Sequence, residues 1–390
     1  MERSPELTAY LSDLIYDINS ENNLSPLFAR LKRVYGDNFS HENETLKAKL
    51  GIGFAKVKTH SGLLILGKNN LKGHAFIVFR GTDLLVDWGS NIDIATKSTG
   101  SGLVHSGFYK AMNSTKDQVR AFVLDAQKQG VVHFHCIGHS LGGAIATLCA
   151  DWLKSAFKIS SYVYTFGAPR PGLEGFAKKF TKNIGEQRIY RVFHTGDVVP
   201  YIAPWPFTHA PLSNRVGRIS AGGNIPSVEW HSMKKYIDSV KAHSWDTLMV
   251  PAGQVFNNKE LEDWMLSTKP DATGVSLSFI EKVGAAIKHL MVNVLKVALS
   301  ALTIGIGSAF TWYDFVAYVF KKSIKKSAKA AELVLGLMNK MLRAMGLGVV
   351  ADTTNLTRDK MRNVFLTFTA RMNHLVYQAV NSTLADGKGI

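Results

Sequence analysis

Two cysteines in 390 residues exclude a disulfide-built scaffold. Eleven prolines and 33 glycines are too few for collagen or a proline-rich spacer. The HExxH pattern and related metal-ligand spacings are absent, so no metal and no cofactor is expected. Acidic side chains are the scarcer charge, 30 against 46 basic, for a formal charge of +16. Such a surplus favours an anionic partner, either nucleic acid or a lipid surface. No zinc-finger spacing, RNP-like motif or basic-aromatic platform occurs, which excludes nucleic acid. What the chain has in quantity is apolar residues, 46%, enough to bury a full core and incompatible with a mainly disordered chain.

Residues 7–35 read as one helix, because Leu7, Leu11, Leu14, Ile15 and Ile18 share a face. Residues 51–58 and 61–67 read as strands joined by a short turn, and HAFIVF at 74–79 as a buried strand. From there to RIYRVF at 188–193, strands and helices alternate, the pattern of a sheet covered by helices. Cys136 falls on one of these strands and Cys149 on the helix after it, where both read as buried free thiols. The expected division is a helical extension over 1–44, a sheet domain over 45–250, a linker over 251–275 and a basic helical region over 276–390. The last 120 residues hold 15 basic and 7 acidic side chains, half of the total surplus.

Two segments of that region bear on membranes. Residues 297–313 are 17 uncharged residues between Lys296 and Asp314, at the short end of the roughly 17–25 that a spanning helix needs. Residues 321–345 carry Lys321, Lys322, Lys325, Lys326 and Lys329 ahead of a stripe of Ile324, Ala328, Ala331, Val334, Leu335, Met338, Met341, Leu342 and Met345. Such a helix either lies in a lipid interface or packs on its own domain with a solvated lysine face.

The chemistry centres on Gly138-His139-Ser140-Leu141-Gly142, a GxSxG motif between an apolar strand and an Ala-rich helix. A serine there sits on a sharp bend with its hydroxyl presented, and the helix N-terminus aims N–H groups at the same spot. A serine nucleophile needs a histidine base and a carboxylate to orient it. Asp197 follows a strand end, where such loops carry sites. His194, His209, His231 and His243 are the downstream candidates for the base, and the order serine, aspartate, histidine is that of hydrolases built on open sheets.

Five motifs then occur in a familiar order: Phe79-Arg80-Gly81-Thr82, Val104-His105-Ser106-Gly107-Phe108, Gly138–Gly143, Phe166-Gly167-Ala168-Pro169-Arg170-Pro171-Gly172 and Asp197-Val198-Val199-Pro200. In these the chain resembles the class 3 lipases, the filamentous-fungal triacylglycerol lipase family, over roughly residues 45–240. The resemblance implies an α/β fold, an α/β-hydrolase sheet covered by helices, here with an appended mostly helical C-terminal region. It implies Ser140 as nucleophile, Asp197 as triad acid and His231, ahead of Tyr236, as base, with the N–H groups of Thr82 and Leu141 forming the oxyanion hole. It places a lid near Leu84, Leu85 and Trp88, and reads Arg80, His105 and His209 as structural supports.

The chain departs from the fungal lipases in lacking their secretion signal and cysteines, in its basic charge and in its added helical region. Those departures move the expected substrate from triacylglycerol to a phospholipid in an anionic membrane surface. A lipase or esterase on neutral esters and a membrane-inserting toxin with a secondary hydrolase domain are the alternatives. The architecture also resembles bacterial antibacterial lipase effectors, which implies a cognate immunity protein. It further implies a cytoplasmic location in the producer, followed by export along a signal-independent route.

Overall fold

HAFIVF is apolar on both faces, and such a strand is stable only where both faces are covered. A computed structural model describes residues 3–17, 24–40, 44–52, 55–81, 96–212, 215–221, 227–251, 256–269, 271, 275–297 and 312–385. In it His74–Phe79 is β3, buried at all six positions. It lies between β2 (Ala55–Leu66) and β6 (His133–His139) in an eight-stranded sheet. The sheet order is β1 (Glu44–Ile52), β2, β3, β6, β7 (Tyr162–Phe166), β9 (Ile189–His194), β11 (Arg215–Ile219), β12 (Val250–Pro251). Pairings from β3 through β11 are parallel, and the outer ones are antiparallel. Four short strands, β4 (Thr96–Ser98), β5 (Leu103–His105), β8 (Gly172–Leu173) and β10 (Phe207–Thr208), make a second, antiparallel sheet.

Side chains alternate across the main sheet with period two. Phe76 and Val78 of β3 pack into one core and Ala75, Ile77 and Phe79 into the other. The first core is closed by helices α1 (Pro5–Leu14) and α2 (Ser25–Tyr35) through Leu7, Leu11, Leu14, Leu27 and Leu31. The N-terminal segment is thus one of the sheet's covering layers. It is two helices rather than the single one expected over 7–35, with a 3-10 turn, Ile15–Asp17, ending the first. Pro26 fixes where the second helix starts: its ring lacks an N–H and clashes with a preceding turn, so it is accommodated only in the first turn of α2. The first hairpin also turns earlier in the chain than expected. Ile52 pairs with Ala55, while Ser61 and Gly62 lie inside β2, next to a register shift at Leu46/Lys47.

The opposite face is covered by α3 (Ser106–Lys128), α4 (Leu141–Phe157) and α5 (Glu174–Ile184). Two more helices, α6 (Met233–Val240) and α7 (Trp245–Leu248), complete the sheet domain. Beyond it come α8 (Asn258–Leu266), α9 (Leu277–Lys288), a π-helical turn over His289–Val294, α10 (Trp312–Ile324), α11 (Ala328–Ala344) and α12 (Arg358–Ala385). Their apolar side chains join the core under α3–α5 without interruption. Trp312 of α10 meets Trp205 edge to face at 5.0 Å, and Lys288 pairs with Glu174 at 2.8 Å.

Most of the 297–313 segment, residues 298–311, lies outside the described residues. Among those described, no helix is long and apolar enough to cross a membrane. The stripe of α11 turns inward: Val334, Met338, Met341, Leu342 and Met345 are buried together with Leu333 and Leu337. Ala328 is exposed and Ala331 and Leu335 are half-buried, so the buried face is rotated from the one expected. Lys322, Lys325, Lys326 and Lys329 are exposed.

The stretch expected as a linker packs closely. Leu261 and Met265 of α8 are buried, and Lys340 of α11 donates to the Lys269 carbonyl at 2.7 Å. A Cβ on Gly336 would lie 2.3 Å from the Met265 carbonyl oxygen, so α8 and α11 touch backbone to side. Gly336→Ala therefore removes a helix-weakening glycine but forces two helices apart. The clash outweighs the gain of up to ~1 kcal/mol in helix propensity. A net loss of about 1–3 kcal/mol is expected in the urea midpoint, and an unchanged midpoint would show that the helices do not meet here.

Candidate active site

Ser140 joins β6 to α4 at φ +56° and ψ −134°, a backbone that a residue with a side chain adopts only under constraint. The constraint is a close crossing. A Cβ on Gly138 would fall 2.3 Å from the Gly142 carbonyl, and one on Gly142 would fall 2.2 Å from the Phe79 carbonyl oxygen. Only glycine fits either place. The Ser140 N–H donates to the Phe166 carbonyl at 2.9 Å and its carbonyl accepts from Gly143 N–H at 2.9 Å, so the bend is tied on both sides. Leu141 opens α4, and the N–H groups of a first turn have no partner within their helix.

Of the four candidate bases, the structure brings His231 to Ser140. It ends a 3-10 turn, Val228–His231, that leads into α6. The Ser140 hydroxyl donates to His231 Nε2 at 2.9 Å, and His231 Nδ1 donates to Asp197 Oδ2 at 2.8 Å. The carboxylate only accepts, which assigns the imidazole proton to Nδ1 and leaves Nε2 free to take the serine proton. Asp197 Oδ2 also accepts from the Tyr236 hydroxyl at 2.7 Å and Oδ1 from Val199 N–H at 2.9 Å. Ser140, Asp197 and His231 are all buried, and α12 packs against the turn that carries His231.

The other histidines have other work. His194 lies 2.7 Å from the Trp230 carbonyl and 3.0 Å from Ser239 Oγ, and stacks on Tyr236 at 4.1 Å, which holds the His231 turn in place. His209 is pushed well below the ordinary imidazole value by burial and by the Arg191 and Arg170 guanidiniums. His105 caps α3 by accepting from Gly107 N–H at 3.2 Å, and burial with nearby Lys110 lowers it to about 4. His243 lies on an exposed turn beside Thr247. Arg80 places its guanidinium 5.4 Å from the centre of the Tyr16 ring. Thr82 and the lid candidates Leu84, Leu85 and Trp88 lie outside the described residues. Cys136 and Cys149 are buried and free.

Three contributors carried no role in the sequence reading. Tyr236 entered only as an aromatic marker, yet its hydroxyl anchors the triad acid. Tyr16 reaches the site from the N-terminal segment. Gly167 has φ +57°, and a Cβ there would sit 2.6 Å from Asp197 Oδ2, so this glycine makes room for the acid. Its signal was present in the Gly-Ala-Pro motif. The tyrosines had none, because nothing in sequence spacing links a phenol to a site formed by distant strands. Among the described residues, no three His, Cys, Asp or Glu side chains converge as a metal set.

Buried neutral histidines make stability depend on acid. Burial lowers His74 and His105 to about 4 and moves His135, His194 and His209 in the same direction. Unfolded, each returns to roughly 6.5. The stability they confer is therefore complete above that value and is lost as pH falls toward 4. Thermal midpoints are expected to be level between pH 7 and 8 and to fall steeply between 6.5 and 4. A midpoint unchanged down to pH 4.5 would contradict the assignment of these rings as neutral.

With this geometry in place, comparison with known proteins is informative. Residues 76–207 match the family described as Lipase (class 3). The secreted mono- and diacylglycerol lipase 1 of Fusarium solani is 33% identical over 164 residues, 40% of this chain and 48% of that protein. Phospholipase A1-II 4 of Oryza sativa subsp. japonica is 26% identical over 223 residues, 48% of this chain and 54% of that one. Toxin TseL of Vibrio cholerae is 32% identical over 121 residues, 31% of this chain and 18% of the toxin. The chain spans about half or less of the length of the first curated relatives it matches. The family match over residues 76–207, the strand order and the serine bend together show a class 3 lipase-like α/β-hydrolase core in this chain.

Proposed function

We propose that this protein hydrolyses carboxylic ester bonds of membrane phospholipids through an acyl-enzyme on Ser140. The observation that carries the reading is the buried chain of hydrogen bonds from Ser140 through His231 to Asp197. In the first step His231 Nε2 takes the serine proton as Oγ attacks the acyl carbonyl. The Leu141 N–H, joined by that of Thr82 in the family pattern, meets the charge that forms on the carbonyl oxygen, usually the largest electrostatic contribution. Asp197 keeps the imidazole in the required tautomer and stabilises the imidazolium. The lysolipid leaves with the proton, and water then cleaves the acyl-enzyme by the same route.

The phospholipid rather than neutral-lipid reading rests on charge and on likeness. Four exposed lysines cluster where α10 meets α11, and several rice relatives bear the name phospholipase A1. Cleavage at the first acyl position is the preferred form. The Fusarium relative, named for mono- and diacylglycerol, supports a neutral ester as the second reading. The likeness to a Vibrio toxin favours a role as an exported antibacterial effector with an immunity protein as partner.

Ser140→Ala is expected to lower ester hydrolysis by roughly 10⁴-fold or more without loss of fold. Hydrolysis retained by the folded variant would remove Ser140 as nucleophile, and vesicle leakage retained without hydrolysis would favour the membrane-inserting alternative. Product analysis on mixed vesicles of phospholipid and triacylglycerol is expected to yield lysophospholipid and free fatty acid. Fatty acid released from triacylglycerol alone would make neutral ester the substrate.

Replacing Lys322, Lys325 and Lys326 together with glutamine tests the lipid surface. Weaker sedimentation with anionic vesicles is expected, with hydrolysis of a soluble short-chain ester unchanged. Equal sedimentation would assign the lysines to solubility.

A further inference from the structure

The 3-10 turn that ends α1 brings Tyr16 beneath the junction of β3, β6 and the serine bend. Its hydroxyl lies 3.1 Å from Gly81 N and 2.9 Å from His139 Nδ1. On the far side of the imidazole, His139 Nε2 lies 2.8 Å from the backbone carbonyl of His231. These contacts have a direction. A carbonyl only accepts, so His139 Nε2 carries the proton, and in the neutral ring Nδ1 is then the acceptor. The Tyr16 hydroxyl must donate to it. Its oxygen is left to accept from Gly81 N–H. The chain runs from Gly81 N–H to Tyr16 O–H to His139, and from His139 N–H to the carbonyl of His231.

Both ends of the chain matter to the reaction. Gly81 immediately precedes Thr82, whose N–H the family pattern places in the oxyanion hole. His231 is the base, and its ring lies 4.5 Å from that of His139. Gly81 is wedged: a Cβ there would be 2.5 Å from the Tyr16 oxygen and 2.9 Å from Ser140 Cβ. Moving the Tyr16 hydroxyl therefore moves the peptide that leads to the oxyanion donor. Tyr16 itself lies outside the 76–207 segment that matches the lipase family.

We propose that Tyr16 is a positioning residue for the hydrolysis. It touches no substrate. It holds the Gly81 peptide against Ser140, and it fixes the His139 tautomer that tethers the His231 backbone. The proposal rests on Ser140 acting as the nucleophile. Oxyanion contacts strengthen as charge develops on the carbonyl, so the cost of losing the hydroxyl falls on the transition state and not on substrate binding.

Tyr16→Phe keeps the ring under Arg80 and removes only the hydroxyl. The expected result on a soluble short-chain ester is a fall in kcat of roughly 10- to 100-fold with KM unchanged. Inhibition by a boronic acid, which mimics the tetrahedral species, should weaken by the same factor. Unchanged kcat, or a rise in KM with kcat intact, would overturn the proposal. A second measurement needs no variant. The ¹⁵N shifts of His139 in the unmodified protein should report a proton on Nε2 and a bare Nδ1, and the opposite tautomer would overturn the chain even if Tyr16→Phe proved unstable. Labelling of Ser140 by a fluorophosphonate separates the two readings. Absence of labelling in the unmodified protein would count against the nucleophile itself, whereas normal labelling with equal kcat in both proteins would count against Tyr16 alone.

Discussion

One backbone crossing decides where everything else in the site can be. The first turn of α4 lies so close to the end of β3 that no Cβ fits on Gly142 beneath the Phe79 carbonyl, and none fits on Gly138 against Gly142. With the strand and helix this close, the residue between them has no room for a relaxed bend. Ser140 takes the strained conformation because the two elements it joins leave it no other. The same approach sets Gly81, two residues past Phe79, against Ser140 Cβ, so the end of β3 and the serine are placed by a single contact.

Asp197 is fully buried yet accepts three hydrogen bonds, from His231, Tyr236 and Val199. A buried carboxylate so supplied with donors is stable as an anion and can support a transient imidazolium beside it. Tyr236 stays a donor throughout, because burial and the neighbouring Asp197 charge push its phenol well above the usual value. The chain has 13 histidines, and burial pushes His194 and His209 below the ordinary imidazole value while their hydrogen bonds lock them as struts. His231 alone faces both a hydroxyl and a carboxylate.

Legibility in the sequence followed the range of the interactions. HAFIVF announced a strand covered on both faces, and GHSLGG between an apolar strand and an Ala-rich helix announced the bend, because both signals are local. Asp197 was legible from its place after a strand. The base was not, since three of the four candidate histidines follow Asp197 and chain order alone does not choose among those three. The motif order of a known family selected His231, and the fold shows why: only its turn is carried back over β6. Tyr16 and Tyr236 were invisible as parts of the site, because they act through tertiary contacts with residues 65 and 39 positions away. The single helix expected over 7–35 ends at Leu14, and Pro26, a local breaker that the periodicity ignores, marks where the second helix begins. The stripe over 321–345 had the right period and the wrong phase. Its buried face is set by where α8 and α12 approach, which no count along α11 contains.

The surplus of positive charge takes on a different meaning once the core is seen. Half of it sits in the last 120 residues, which the sequence presented as an appended region. The apolar side chains of that region share one core with those beneath α3 and α4, and α12 lies against the turn that carries His231. Lysines exposed between α10 and α11 are therefore connected through packed side chains to the base of the triad. Close-packed interiors transmit displacement and do not absorb it. Ser140, Asp197 and His231 are all buried beneath that shared interior. The helical region and the serine bend therefore share one packed interior, so the basic region is built into the site's surroundings and is no loose appendage.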